Sequence, residues 1–226
     1  MNFKDKKFVA SYSGGKDSLL AIYRAVQSGM KPQCLITTYN TDQERSWFHG
    51  VPESLLKDVA ESLRIPIRLI KTSGEAYEEN FRAELRTQKE NGAEVCVFGD
   101  IDIQGHLDWC TNICREAGID AYFPLWQEPR EKLVREFIAH GFTANITVVD
   151  TSRLSEKHLG MVLSEETIAS IQAEGADVCG ENGEYHSFVS GGPLFSKPVA
   201  FTYGEKILRA PYAILPLYNK QPAAIV

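Results

Sequence analysis

Apolar and polar positions come in alternating blocks along the first two thirds of the chain. Lys7–Ser11 is a short, mostly apolar run. Leu19, Ile22, Tyr23 and Val26 then recur at i, i+3, i+4 and i+7, the spacing of one helical face. Residues 34–39 read as a buried strand, and a polar loop follows over 40–50. A helix opens near Pro52, with Glu53 in its first turn and Leu55, Leu56, Val59, Ala60 and Leu63 facing inward. Residues 67–70 form a third strand. Tyr77–Glu90 predicts a charged helix with a narrow seam of Phe81 and Leu85, stopped by Asn91-Gly92. A fourth strand, 95–98, ends in Gly99-Asp100, and helices over 105–117 and 130–140 lead to a strand at 145–149.

This alternation predicts an α/β fold with a doubly wound, mostly parallel sheet covered on both faces. The pattern changes after residue 150. One helix near 164–174 is followed by a Gly-rich stretch, 179–189, and by strand-like runs near 199–203 and 207–208. Pro211, Pro216 and Pro222 interrupt the last segment. Two units are expected: residues 1–150, and a small α+β subdomain over 151–226 that caps the crevice. Ligands of such sheets bind beyond the carboxyl ends of the strands. The 13–18 turn, the 39–50 loop and Gly99-Asp100 all fall there.

The turn itself is Ser13-Gly14-Gly15-Lys16-Asp17-Ser18. Glycines let backbone N–H groups approach an anion, and the helix that follows presents free N–H groups and a positive dipole end. Two hydroxyls and an ammonium complete a phosphate cradle. It is not the P-loop, which needs a glycine where Ala10 stands and a Ser or Thr where Asp17 stands.

Composition narrows the field. The 226 residues are 43% hydrophobic and 24% charged, as in ordinary globular proteins. A net charge of −6 gives no basic footprint for nucleic acid. No apolar run is long enough for a membrane span, and the charged first residues lack a signal-peptide core. Cys34, Cys96, Cys110, Cys114 and Cys179 are odd in number and scattered. They read as core thiols in a reducing cytoplasm. Cys110 and Cys114 share a helical face, but no partner pair with metal-ligand spacing follows.

The 13–18 turn resembles the signature of the PP-loop ATP pyrophosphatases, of HUP or Rossmann-like fold. Arg45-Ser46-Trp47-Phe48-His49, Gly99-Asp100-Ile101, Pro124-Leu125-Trp126 and Gly180-Glu181-Asn182-Gly183-Glu184-Tyr185-His186 follow in the order seen in the diphthine–ammonia ligase family. That resemblance runs from about residue 7 to 200. It implies an ATP-dependent ligase that adenylates a carboxylate, releases pyrophosphate, and lets ammonia or an amine displace AMP. It implies ATP and Mg²⁺ as cofactors, no nucleic-acid or membrane partner, and leaves homo-oligomer formation open.

Carried onto this chain, the resemblance gives Ser13, Gly14, Gly15, Lys16, Asp17 and Ser18 the pyrophosphate end of ATP. Ala10, Ser11, Thr37 and Thr38 approach adenosine, Gly99 and Asp100 the α-phosphate, and Asp17 the metal. His49, Glu181, Glu184 and His186 face the acceptor, with both glutamates as base or clamp and both histidines as proton carriers. Trp47, Phe48, Tyr122 and Trp126 wall the pocket, while Phe123 packs. The late motif departs from the Glu-Gly-Gly-Glu-Phe/Tyr-Glu-Thr of eukaryotic and archaeal diphthine ligases. The variant Glu-Asn-Gly-Glu-Tyr-His-Ser is similar to bacterial relatives, some of them linked to cobalamin salvage. A different acceptor and a non-catalytic nucleotide sensor therefore stand as alternatives. Sulfur transfer is disfavoured for want of a cysteine pair at the crevice. The chain starts Met1-Asn2, without the N-terminal cysteine some amidotransferases use, so free ammonia or a substrate amine is the expected nucleophile.

Overall fold

The computed structural model describes residues 3–46 and 49–220. Trp47, Phe48 and Pro222 lie outside the described residues. The first half runs β1 (Lys7–Ser11), α1 (Lys16–Gln27), β2 (Lys31–Asn40), β3 (Arg45–Ser46), α2 (Glu53–Leu63) and β4 (Ile67–Thr72). It continues through α3 (Tyr77–Glu90), β5 (Val95–Val97), α4 (Gln104–Ala117) and β6 (Asp120–Tyr122).

Strand β1 pairs in parallel with β2 on one side and β5 on the other. Next, β4 extends the sheet beyond β2, and β6 extends it beyond β5. The five parallel strands thus lie in the order third, second, first, fourth, fifth, a doubly wound arrangement with its switch point beside β1. Only the two-residue β3 runs antiparallel, hooked onto the end of β2 at Tyr39 and Asn40.

The period of two along each strand sorts side chains into two cores. Phe8, Ala10, Leu35, Val95 and Val97 face α1 and α2, where Leu19, Ile22, Leu55, Leu56 and Val59 are fully buried. Val9, Ile36, Cys96 and Phe98 face the other way, against Phe81 and Leu85 of α3 and Ile113 of α4. Four of the five free cysteines pack in that second core, and Cys179 packs in the first.

The second half runs α5 (Arg130–Ala139), β7 (Thr143–Asp150), α6 (Glu165–Ala173), β8 (Tyr185–Gly191), β9 (Phe201–Tyr203), β10 (Ile207–Arg209), β11 (Tyr212–Ile214) and β12 (Leu217–Asn219). Here one expectation is corrected. The strand anticipated at 145–149 as a member of the parallel sheet is β7, and it belongs to a separate antiparallel sheet ordered β10-β11-β7-β8. Its buried residues Ala144, Ile146 and Val149 pack into the first core from above α1 rather than beside β6. Strand β8, within the stretch read only as Gly-rich, joins the two halves: Val189 N–H donates to the Gly14 carbonyl at 3.0 Å. Among the described residues no helix is long and apolar enough to cross a membrane.

Candidate active site

The turn between β1 and α1 is held open by its own hydroxyls. Gly15 N–H donates to Ser13 Oγ at 3.3 Å, Ser13 N–H to Ser18 Oγ at 3.4 Å, and the Ser18 hydroxyl to the Gly15 carbonyl at 3.0 Å. Gly14 adopts φ +93°, a conformation that favours glycine. Gly15 occupies the N-cap of α1 and has no side chain to cap it. The helix therefore offers its positive end to the crevice.

Two further glycine requirements come from close approach. A Cβ on Gly99 would stand 2.7 Å from backbone atoms of Asp17 and Ser18, so the end of β5 touches the first turn of α1 directly. A Cβ on Gly15 would stand 2.4 Å from His49 Cε1. The His49 ring thus lies over the turn.

Lys16 is buried, and its Nζ lies 2.8 Å from Asp17 Oδ2 and 5.3 Å from the centre of the Tyr185 ring. Burial is the largest single influence and works to lower its pKa, but Asp17, then Cys179 and Tyr185, together hold it well above the ordinary lysine value. The side chain is a fixed cation aimed along the crevice. Its backbone N–H donates to Ser187 Oγ at 3.4 Å, so β8 closes the turn from above.

Opposite the turn lies the 177–187 segment. Glu181 lines a cavity of about 200 Å³ together with Ser13, Lys16, Asp17, His106 and His186. Burial first, and then the Asp17 carboxylate, push its pKa up to about 7. Asp100 is also raised, by burial, and its Oδ1 lies 3.2 Å from His106 Nδ1. Glu184 is placed differently. It is buried and accepts from both the backbone N–H and the side-chain amide of Asn182, at 3.0 and 3.1 Å, and it does not line the cavity. It shapes the loop from within, while Glu181 faces the crevice.

The two histidines meet edge to face with centres 4.9 Å apart. His49 Nδ1 is 2.9 Å from the Ser187 carbonyl, which can only accept, so this nitrogen carries the proton. Burial, then the neighbouring His186, lower the His49 pKa to about 3. Burial, then Lys16, lower that of His186. Both rings are neutral near pH 7.

On the other side of Ser13 a slot of about 30 Å³ runs between Ser11, Thr37, Thr38, Tyr77 and Phe81. Thr37 spends its hydroxyl on the Tyr12 carbonyl at 2.6 Å, and Ala10 is wholly buried in the sheet. Neither the Thr37 hydroxyl nor the Ala10 side chain is thus open to a ligand there. The slot is narrow, and Tyr77, half-buried at the start of α3, forms one of its walls.

Of the residues expected to hold ATP or the acceptor, Ser13, Lys16, Asp17, His49, Glu181 and His186 line the cavity and Ser11, Thr37 and Thr38 the slot, with Ala10 beneath and Glu184 turned away. Sequence reasoning missed Ser187, His106 and Tyr77. Ser187 ends the late motif and was the most findable. Two cysteine sulfurs also come close: Cys110 Sγ to Asp100 at 3.8 Å and Cys179 Sγ to Asp17 at 3.8 Å. Burial raises both thiols, which suits packing rather than nucleophilic work. Tyr122, Phe123 and Trp126 line neither this cavity nor the slot, and Phe123 stacks on Phe98 at 5.3 Å.

A doubly wound sheet with an uncapped Ser-Gly turn at its switch point defines a nucleotide-binding α/β protein. Sequence profiles described as the diphthamide synthase N-terminal domain and the diphthamide synthase C-terminal domain match residues 6–121 and 129–217. The chain belongs to the diphthamide synthase family. Curated relatives include the diphthine–ammonia ligase of Rattus norvegicus, 25% identical over 93% of this chain and 88% of that one, and the human enzyme with the same figures. The Schizosaccharomyces pombe diphthine–ammonia ligase is 24% identical, and the match spans 89% of this chain but 37% of that longer one. A solved Methanocaldococcus jannaschii DSM structure titled as a predicted subunit of tRNA methyltransferase aligns at TM-score 0.45 and 15% identity, over 83% of this chain and 98% of that one.

Proposed function

We propose that the protein is an ATP-dependent ligase that activates a substrate carboxylate as its adenylate and transfers the acyl group to ammonia or an amine. The observation that carries this reading is the meeting of the buried Lys16 and the uncapped end of α1 with the 177–187 loop across one small cavity. The family relatives, named as diphthine–ammonia ligases, support the same class of reaction.

The donor set suits a triphosphate. Ser13, Ser18, the N–H groups in the first turn of α1 beyond Lys16 and the Lys16 ammonium hold the two outer phosphates and take up the charge of departing pyrophosphate. Adenosine lies along Ser11, Thr37 and Thr38, and the α-phosphate beside Gly99 and Asp100. Among the described residues no cluster of three or more His, Cys, Asp or Glu is placed to hold a metal. Asp17 is the one carboxylate of this turn and would hold a Mg²⁺ ion, which would supply charge neutralisation for the departing pyrophosphate.

The acid oxygen attacks the α-phosphorus, the bond to the β-phosphate oxygen breaks, and pyrophosphate leaves. The nitrogen then attacks the acyl carbon, AMP leaves, and Glu181 takes the proton lost from nitrogen. Its raised pKa suits that exchange near neutral pH. His49 and His186 keep the passage to the acceptor neutral, so the incoming carboxylate meets no trapping charge before phosphorus.

Incubation with ATP, Mg²⁺, ammonium and a panel of carboxylic acids tests the reading. Acid-dependent pyrophosphate and AMP are expected. Release of ADP and orthophosphate, or tight nucleotide binding without pyrophosphate from any acid, overturns it.

A further inference from the structure

Beyond the two histidines lies a second cavity of about 620 Å³. His49 and His186 line both hollows, so the larger one adjoins the phosphate crevice at that pair. Its outer wall is apolar, built from Ile207 of β10, Ile214 of β11, and Leu215 and Leu217. A volume of this order accommodates a whole small molecule rather than one side chain's tip.

Two guanidiniums also line it, from opposite ends of the chain. Arg45 is fixed in place. Its Nη1 donates to the Gly50 carbonyl at 3.0 Å and its guanidinium carbon lies 5.5 Å from the centre of the Tyr218 ring. Arg209, the last residue of β10, is exposed, and its side chain has no ion pair or hydrogen bond among the described residues. Neither arginine has a carboxylate partner there. Asp42 lines the same cavity and offsets one of the two charges. Because the histidine pair is neutral, the cavity keeps an excess of positive charge within a chain of net charge −6. Two arginines that outnumber the one carboxylate beside them, next to an apolar wall, suit a carboxylate or phosphate.

Resting on the ligase reading above, we propose that this cavity seats the acceptor, and that the acceptor is a small molecule with two anionic groups at the ends of an apolar body. One group, a carboxylate, lies against the His49–His186 pair on the side toward the phosphate crevice. The other, a carboxylate or a phosphate, meets Arg209 and Arg45.

Saturation-transfer NMR on the intact protein loaded with AMP tests this with four probes of matched length: octanedioate, 8-phosphonooctanoate, octanoate and 8-(trimethylammonio)octanoate. The two dianions should bind about tenfold more tightly than octanoate, the worth of one charge-assisted contact. Whichever dianion is tighter identifies the second group. Arg209→Gln, an exposed position that leaves the core untouched, should bring the dianions down to the octanoate level without moving AMP affinity. Arg45→Gln should act in the same direction. Equal binding of all four probes, absence of dianion binding, tightest binding of the cationic acid, or indifference to Arg209→Gln would overturn the proposal. The readout needs no turnover. Dianion binding without pyrophosphate release counts against the ligase reading alone. Turnover of monoacids regardless of Arg209 counts against the dianionic acceptor alone.

Discussion

A hydrogen atom is all that position 99 can carry. A methyl group on Gly99 would meet main-chain atoms of Asp17 and Ser18 at 2.7 Å, and neither can move without tilting α1. Gly99→Ala is expected to cost about 1–3 kcal/mol of stability, as overpacked sites do, and to abolish nucleotide binding. Denaturant titration and calorimetry with ATP check the two effects. At Gly15 the clash is with the His49 ring, a side chain that can rotate away. Gly15→Ala should therefore leave stability nearly unchanged while weakening turnover.

Glu181 supplies a test with a definite sign. Its native pKa of about 7 lies above the reference value of 4.5, so between those values the folded state binds more protons than the unfolded one. Its contribution to stability is full below about pH 4.5 and is lost as pH rises through about 7. Glu181→Gln should flatten the fall in stability across that window, as read by urea midpoints at a series of pH values. If Glu181 is the base, turnover should also climb through about pH 7 in the parent and lose that limb in the variant.

At the scale of elements, the loop that carries Glu181 is stapled by the first residue of α5. Arg130 reaches both Asp102 oxygens at 2.7 Å, Asp177 at 2.7 Å and the Asn182 side chain at 3.1 Å. It thus ties the segment after β5 to the 177–184 loop. Arg130→Ala should speed amide exchange in that loop by about tenfold while α5 stays protected. It should also lower turnover more than nucleotide affinity, and Arg130→Lys, a point charge, should not restore the loop.

The sequence was most legible where periodicity was strong and local. Helix α3 was bounded correctly from Phe81, Leu85 and the Asn91-Gly92 stop, and the 13–18 turn was found from its residue types alone. Strand β8 was hidden because its neighbours Gly180, Gly183, Gly191 and Gly192 suggest loop, while its inward face depends on pairing with β7, a partner about forty residues away. Strand β7 itself was recognised but assigned to the wrong sheet, since periodicity tells a strand's faces and not its neighbours. Ser187 and Arg130 work through contacts with residues far along the chain, which no local pattern records.

Taken whole, the chain has one main core. Residues of α1 and α2 pack with Ile146, Val149, Phe188 and Val189 of the second sheet, although the two family profiles divide near residue 125. Thermal unfolding should accordingly be a single transition by both far-UV circular dichroism and tryptophan fluorescence. ATP with Mg²⁺ should raise its midpoint, with a stabilisation of about 2.7 kcal/mol at a hundredfold excess over Kd. Lys16→Ala should erase that shift and leave the apo transition in place.

The bonds from Lys16 to Ser187 and from Val189 to Gly14 also set an order of events during synthesis. The strand that roofs the first turn follows it by 171 residues from Lys16 to Ser187, so it leaves the ribosome long after the turn does. The parallel sheet can collapse early, yet its anion cradle stays unroofed until that strand has been made, so nascent chains that lack it should neither capture nor consume ATP.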